Sequence, residues 1–205
     1  MTLTAKVEFA LIDAGMTLDE LSSNADQVIV FGSCALGCDT PASDVDLLCV
    51  GEGARMDTGR LHLLWIEASR LHDPGWLGSE IGGHIAKYGV WLSGRRSLGP
   101  PQRPSVRTLQ KKRQRILDRA NVLIHKWLLL SPGFKAKQLR NLRLDLQRYQ
   151  LLCAGEPVVP NPILDRRWKE QSNNMEWLND LLGTDGELYE ALIELTSKSR
   201  KAVFR

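Results

Sequence analysis

Gln27-Val28-Ile29-Val30-Phe31-Gly32-Ser33, followed after the ten residues Cys34 to Ser43 by Asp44-Val45-Asp46-Leu47-Leu48-Cys49-Val50, is the stretch from which the fold is read. The first run is apolar and β-branched at successive positions, the pattern of a strand buried on both faces, and Gly32-Ser33 ends it in a turn. Small residues from Cys34 to Gly37 and a polar turn from Asp39 to Ser43 lead into the second run, a strand that is apolar except for two aspartates at its start. Toward the N-terminus, residues 4–14 and 18–26 are expected as short helices. Thr17 is placed to cap the second of them, and Glu20, three positions on, completes a capping box. Downstream, the glycine- and charge-rich segment 51–59 reads as a loop, and Leu61-His62-Leu63-Leu64-Trp65-Ile66 as a third strand closed by Glu67. Pro74-Gly75 opens a helix expected from Trp76 to about Lys87, and Tyr88 to Leu92 is either a further short strand or the end of that helix.

Residues two apart on a strand share a face, so Asp44 and Asp46 present two carboxylates side by side. Such a pair repels, and a divalent cation resolves the conflict. Mg²⁺ takes hard oxygen ligands and is commonly held by one or two carboxylates together with substrate phosphates. Gly32 lets a phosphate approach the backbone with no Cβ in the way, and Ser33 offers a hydroxyl and an N–H at the start of the next turn. These parts suit a nucleoside triphosphate and its metal. The four cysteines, Cys34, Cys38, Cys49 and Cys153, lack the second pair or nearby histidine of a zinc site and read as reduced thiols.

Between Ser93 and Ser105 the chain holds two Gly, three Pro and three Arg, the composition of a linker, so a first domain is expected over residues 1–95 and a second over 96–205. Beyond the linker the apolar period becomes helical. Leu109, Ile116, Ala120, Leu123, Trp127 and Leu130 fall on one face of a long helix, and Leu139, Leu142, Leu146 and Tyr149 on one face of a second. Pro132-Gly133 between them predicts an antiparallel pair. Further helices are expected near 164–182 and 186–202, with Gly183 as a stop, completing a C-terminal helical bundle. The net charge is +3, but residues 103–148 alone carry +11 inside a chain whose remainder is −8. That block is a candidate surface for a polynucleotide, through Lys111, Lys112, Arg113, Arg115, Lys135, Lys137 and Arg140, or else a solvated helix face. No apolar run is long enough to span a membrane and no leader pattern opens the chain, so a soluble, cytoplasmic protein is expected.

Gly-Ser followed after ten residues by Asp-x-Asp resembles the signature of the polymerase-beta-like nucleotidyltransferase superfamily, over about residues 27–92. The resemblance implies an α+β fold, a small mixed sheet with flanking helices. It implies an enzyme that moves a nucleoside monophosphate from a nucleoside triphosphate to an acceptor hydroxyl, with Gly32 and Ser33 holding the triphosphate and Asp44 and Asp46 binding Mg²⁺ or Mn²⁺. The superfamily usually carries a third carboxylate on the next strand. Here His62 stands at that position, and Glu67 is a second candidate, at odd spacing from it. Imidazole is a poor partner for Mg²⁺ but can ligate a softer divalent ion or take a proton from the acceptor hydroxyl. Residues 76–91 also look like a stretch of bacterial members, with Glu80, His84 and Lys87 on one side of a helix as a cleft lining or, preferably, a surface stripe. The chain is similar in size to defence-associated and toxin–antitoxin nucleotidyltransferases, which points to RNA, DNA or an oligonucleotide as acceptor and to a role in antiviral defence. Antibiotic-modifying relatives, whose cationic substrates favour an acidic cleft, fit the basic block less well. A regulatory protein partner and self-assembly both stay open, as does a binding module that lost catalysis with its third carboxylate.

Overall fold

In a computed structural model the described residues are 2–126 and 129–171. The expected helix at 186–202 and the Gly183 stop lie outside them. The described chain divides into two compact units, one running to Arg103 and including Pro157–Ile163, the other formed by Pro104–Glu156 and the chain from Leu164.

The first unit is a five-stranded mixed sheet with flanking helices. Two helices, α1 (Leu3–Asp13) and α2 (Leu18–Asn24), precede β1 (Gln27–Phe31). The Thr17 side chain accepts from Glu20 N–H and the Glu20 carboxylate accepts from Thr17 N–H, so both halves of the capping box form. A single helical turn, α3 (Gly32–Ala35), leads toward β2 (Val45–Val50). Then come β3 (Met56–Thr58), β4 (Leu61–Ile66), a 3-10 turn over Ala68–His72, α4 (Pro74–Leu77), α5 (Glu80–Tyr88) and β5 (Val90–Ser93). The strand order is β3-β4-β2-β1-β5, with β2 and β4 parallel and every other pair antiparallel.

All five residues of β1 are buried, because its two faces feed two cores. Val28 and Val30 pack with Leu47, Leu61 and Leu63 against Val7, Ala10 and Leu11 of α1 and Leu21 of α2. Ile29 and Phe31 pack with Leu48 against Ile85 of α5. Fully burying each such side chain contributes about 1.5–3 kcal/mol.

Two expectations for this unit change. The segment 51–59 is not all loop, since Met56–Thr58 forms a short edge strand on β4. Its residues are exposed or half-buried, so it has no apolar period, and cross-strand pairing alone defines it. The helix expected from Trp76 to Lys87 is broken at Gly78-Ser79. Asp73 caps the first piece through Gly75 N–H, and the Ser79 hydroxyl accepts from Gly82 N–H to start the second.

In the second unit, α6 (Val106–Lys126) and α7 (Pro132–Ala154) are followed by α8 (Asn161–Gln171). Pro132 sits in the first turn of α7, and Gly155 closes that helix in the left-handed conformation. Ile116 packs on Leu142, Leu146 and Tyr149, while Leu139, expected on the same face, is 47 % exposed. Lys112 meets Asp145 and Arg119 meets both Asp145 and the Asn141 carbonyl, so partners descend α7 as α6 ascends and the pair is antiparallel.

The same contacts correct the reading of Lys112 within the basic block. Lys112 does not face solvent: it is 5 % exposed and bound 2.9 Å from the Asp145 carboxylate, which Arg119 and Arg148 share. Arg140 and Arg143 both pair with Asp165. Burial also lowers the Arg143 guanidinium from its ordinary value. Two acidic groups thus hold five of the cations in structure, whereas Lys111, Arg115 and Lys137 have exposed side chains. Among the described residues no helix is long and apolar enough to cross a membrane.

Candidate metal and nucleotide site

The sheet's register assembles the site. Phe31 lies opposite Asp46, Asp46 opposite His62, and His62 opposite Asp57, so four strands contribute one row of residues. Partners directly opposite in a ladder project to the same face, here the face that carries Ile29, Phe31 and Leu48. Asp44, two residues before Asp46, reaches the same place from the end of the polar turn. The imidazole of His62 is the centre. Its Nδ1 is 3.4 Å from Asp44 Oδ2 and 3.3 Å from Asp46 Oδ1, and its Nε2 is 2.9 Å from Asp57 Oδ1. One ligand atom each from Asp44, Asp46 and His62 can be chosen so that all lie within 4.8 Å of one another.

Asp46 is the strained member. Burial first and the charge of Asp44 second push its carboxyl up from the ordinary 3.8 to about 6, with His62 opposing both. Two carboxylates that resist joint ionisation, converging with a ring nitrogen, form a donor set that suits a divalent cation.

Gly32 is required here for two reasons. Its φ is +72°, the left-handed region, and a Cβ added to it would fall on Oδ2 of Asp46. The space freed by the missing side chain is occupied by the carboxylate itself. The Gly32 N–H donates to His84 Nε2 at 3.1 Å, and His84 Nδ1 lies 2.7 Å from the Val158 carbonyl. A carbonyl accepts only, so the ring hydrogen is on Nδ1 and Nε2 is left to accept from the turn. His84 is 7 % exposed, with Phe31 edge-on to its ring and Tyr88 beside it. Further contacts hold the turn from below: Cys38 donates to the Ser33 carbonyl through its N–H and its thiol, and Cys34 Sγ lies 3.5 Å from the Asp44 carbonyl. Burial raises the Cys34 thiol to about 11, so it stays protonated and can donate. The Ser33 hydroxyl takes no partner among the described residues.

Of the residues singled out in the sequence, Asp44, Asp46 and His62 are thus brought together, with Gly32 against Asp46 and Ser33 next in the chain. Glu67 is not brought in: it lies past the end of β4, exposed, with its carboxylate accepting from Ser69. His84 is not on a surface stripe with Glu80 and Lys87: it is buried against the Gly32 amide, whereas Glu80 is half-buried and Lys87 exposed. Sequence reading missed Asp57, and for His84 a cleft lining was the less favoured of its two readings. Asp57 was signalled only by Gly59-Arg60, a two-residue hairpin connection between Met56-Asp57-Thr58 and β4. His84 was signalled by its small and apolar neighbours, Gly82, Gly83, Ile85 and Ala86, all buried.

Residues 16–76 match the family model for a nucleotidyltransferase domain, a span that covers the Gly32-Ser33 turn and the row from Phe31 to Asp57. No curated protein matches the chain. With the Gly-Ser turn, the paired aspartates and the mixed sheet placed as described, residues 16–76 are similar to a nucleotidyltransferase domain, consistent with the polymerase-beta-like superfamily.

Proposed function

We propose that this protein transfers a nucleoside monophosphate from a nucleoside triphosphate to the hydroxyl of a nucleic-acid or oligonucleotide acceptor. The acceptor oxygen bonds to the α-phosphorus, the bond to the bridging oxygen breaks, and pyrophosphate leaves. The observation that carries this reading is the convergence of Asp44, Asp46 and His62 beside the Gly32-Ser33 turn, within the matched domain. Asp44, Asp46 and His62 would hold Mg²⁺ or Mn²⁺, which when bound neutralises triphosphate charge and acidifies the acceptor hydroxyl.

The remaining work falls to the chain's own groups. Ser33 offers its hydroxyl to a phosphate oxygen. The Gly32 amide serves the turn's shape, because His84 holds it, and a pre-shaped turn needs no rearrangement when substrate binds. Support for a polyanionic acceptor comes from Arg107, Lys111 and Arg115, exposed at four-residue spacing along α6, and from exposed Lys137 on α7.

A second reading, a module that binds nucleotide or nucleic acid without turnover, is favoured by one observation: an imidazole replaces the usual third carboxylate. Purified protein incubated with each labelled nucleoside triphosphate, Mg²⁺ or Mn²⁺, and RNA or single-stranded DNA separates the two. Label should enter the acceptor with wild type and not with Asp44→Ala/Asp46→Ala. Equal labelling by both proteins refutes transfer at this site. Binding of RNA that is indifferent to salt removes the proposed role of the basic residues.

A further inference from the structure

Phe31 is the last residue of β1 paired in the ladder, and at Gly32 the chain turns away with φ +72°. The N–H it carries there has left the sheet and is met by His84 Nε2 at 3.1 Å. Only a neutral ring with its hydrogen on Nδ1 accepts at Nε2, and the Val158 carbonyl, 2.7 Å from Nδ1, keeps the hydrogen there. Three groups far apart in sequence thus form one relay, from the Val158 carbonyl through the imidazole to the Gly32 amide. His84 and Val158 are both buried, so each bond is costly to lose. The segment that supplies the carbonyl is stiff. Pro157 and Pro160 fix their own φ, Pro160 biases Val159 to extended backbone, and the Val158 and Val159 side chains are buried. This strap, Pro157–Ile163, belongs to the first unit although it follows α7 in the chain.

We infer that His84 is a positioning residue for nucleotidyl transfer, and that the Pro157–Ile163 strap sets the triphosphate turn through it. The inference rests on the proposed role of the Gly32-Ser33 turn in holding the triphosphate. Both His84 and the strap lie outside residues 16–76, so the matched span does not shape its own turn. The relay ends beside the aspartates, because the Asp46 carboxylate occupies the space where Gly32 lacks a Cβ. A turn released from His84 adopts its binding shape less often, and the apparent affinity for a triphosphate falls by the same fraction. Loss of one buried hydrogen bond lowers that population by up to about 10-fold.

The test uses the full chain, with the α,β-methylene analogues of ATP, GTP, CTP and UTP and Mn²⁺ as probes, titrated calorimetrically. In wild type, nitrogen NMR of the His84 ring should show the hydrogen on Nδ1 and a bare Nε2. His84→Gln places an amide oxygen where Nε2 accepts from Gly32, whereas the shorter His84→Asn reaches only the Val158 side. A purely structural role lowers both melting temperatures and leaves the two variants alike in binding. Positioning predicts near wild-type affinity for the best-bound analogue in His84→Gln and about 10-fold weaker affinity in His84→Asn. Pro157→Gly/Pro160→Gly should weaken binding in the wild-type background and have no further effect in His84→Ala, where the strap has nothing to act through. A ring hydrogen on Nε2, equal affinity in the Gln and Asn variants, or strap changes that act equally with and without His84 overturn the inference and leave nucleotidyl transfer standing. Wild type that binds none of the analogues with Mn²⁺ overturns both.

Discussion

Replacing Gly32 by alanine perturbs two things at once, and the structure separates them. The backbone term comes from φ +72°, which costs a residue with a Cβ about 1–2 kcal/mol. The packing term comes from the Asp46 carboxylate, whose Oδ2 and Cγ stand where the new methyl must go; overpacking of this kind costs about 1–3 kcal/mol. Gly32→Ala should therefore lose about 2–5 kcal/mol. In an Asp46→Ala background the clash vanishes, because the Cβ of residue 46 is 3.4 Å from the added methyl, within ordinary contact. Only the backbone term survives, so the double-mutant cycle should show a favourable coupling of about 1–3 kcal/mol. Hydrogen exchange of β1, β2 and β4 amides in metal-free buffer reads this unit by itself. Losses that add to within about 0.5 kcal/mol would show that the carboxylate does not fill the glycine's space, and the account of the turn would fail.

Three further outcomes follow from the same geometry. The folded chain keeps a proton on Asp46 up to about pH 6, against an ordinary 3.8, so between those values the folded state binds more protons than the unfolded. Metal-free stability should then fall as pH rises from about 4 through 6, by about 3 kcal/mol, and Asp46→Asn should flatten that slope in melting curves taken with chelator present. His84→Ala leaves the Gly32 amide and the Val158 carbonyl without their shared partner; at about 1–3 kcal/mol for each buried group, stability drops, and the Gly32 amide should exchange faster with solvent. In the second unit, Asp145→Ala removes the carboxylate that Lys112, Arg119 and Arg148 share and should cost about 3–5 kcal/mol. Lys112→Met should cost less, because Asp145 keeps two arginines, and urea denaturation of the two variants gives the order.

The parts of the structure that were legible in the sequence are those written in local pattern. Val28 to Phe31 alternate between two cores and so had to be apolar at every position, and Thr17 with Glu20 stated a helix start in four residues. Helix ends set by a side chain were harder. Ser79 caps α5 because it is itself extended between the two helices, and apolar periodicity runs straight through that break. Within the basic block Lys112 was misjudged, because charge counting along the chain treats each lysine alike, whereas a single aspartate on the facing helix draws this one inward.

The site itself divides along the same line. Asp44 and Asp46 could be paired from strand alternation, since both lie on one segment. Everything else in the row depends on register between segments, which local pattern does not encode. A strand slipped by one residue turns its side chains to the other face, so the parallel pairing of β2 with β4 decides whether His62 meets Asp46 or is buried behind it. Asp57 depends on two registers in succession, β2 to β4 and β4 to β3, and its own strand has no apolar signal. An alignment by position reads His62 as a missing carboxylate. The sheet gives a different result: the carboxylate is present one strand further out, and the imidazole stands between it and the paired aspartates.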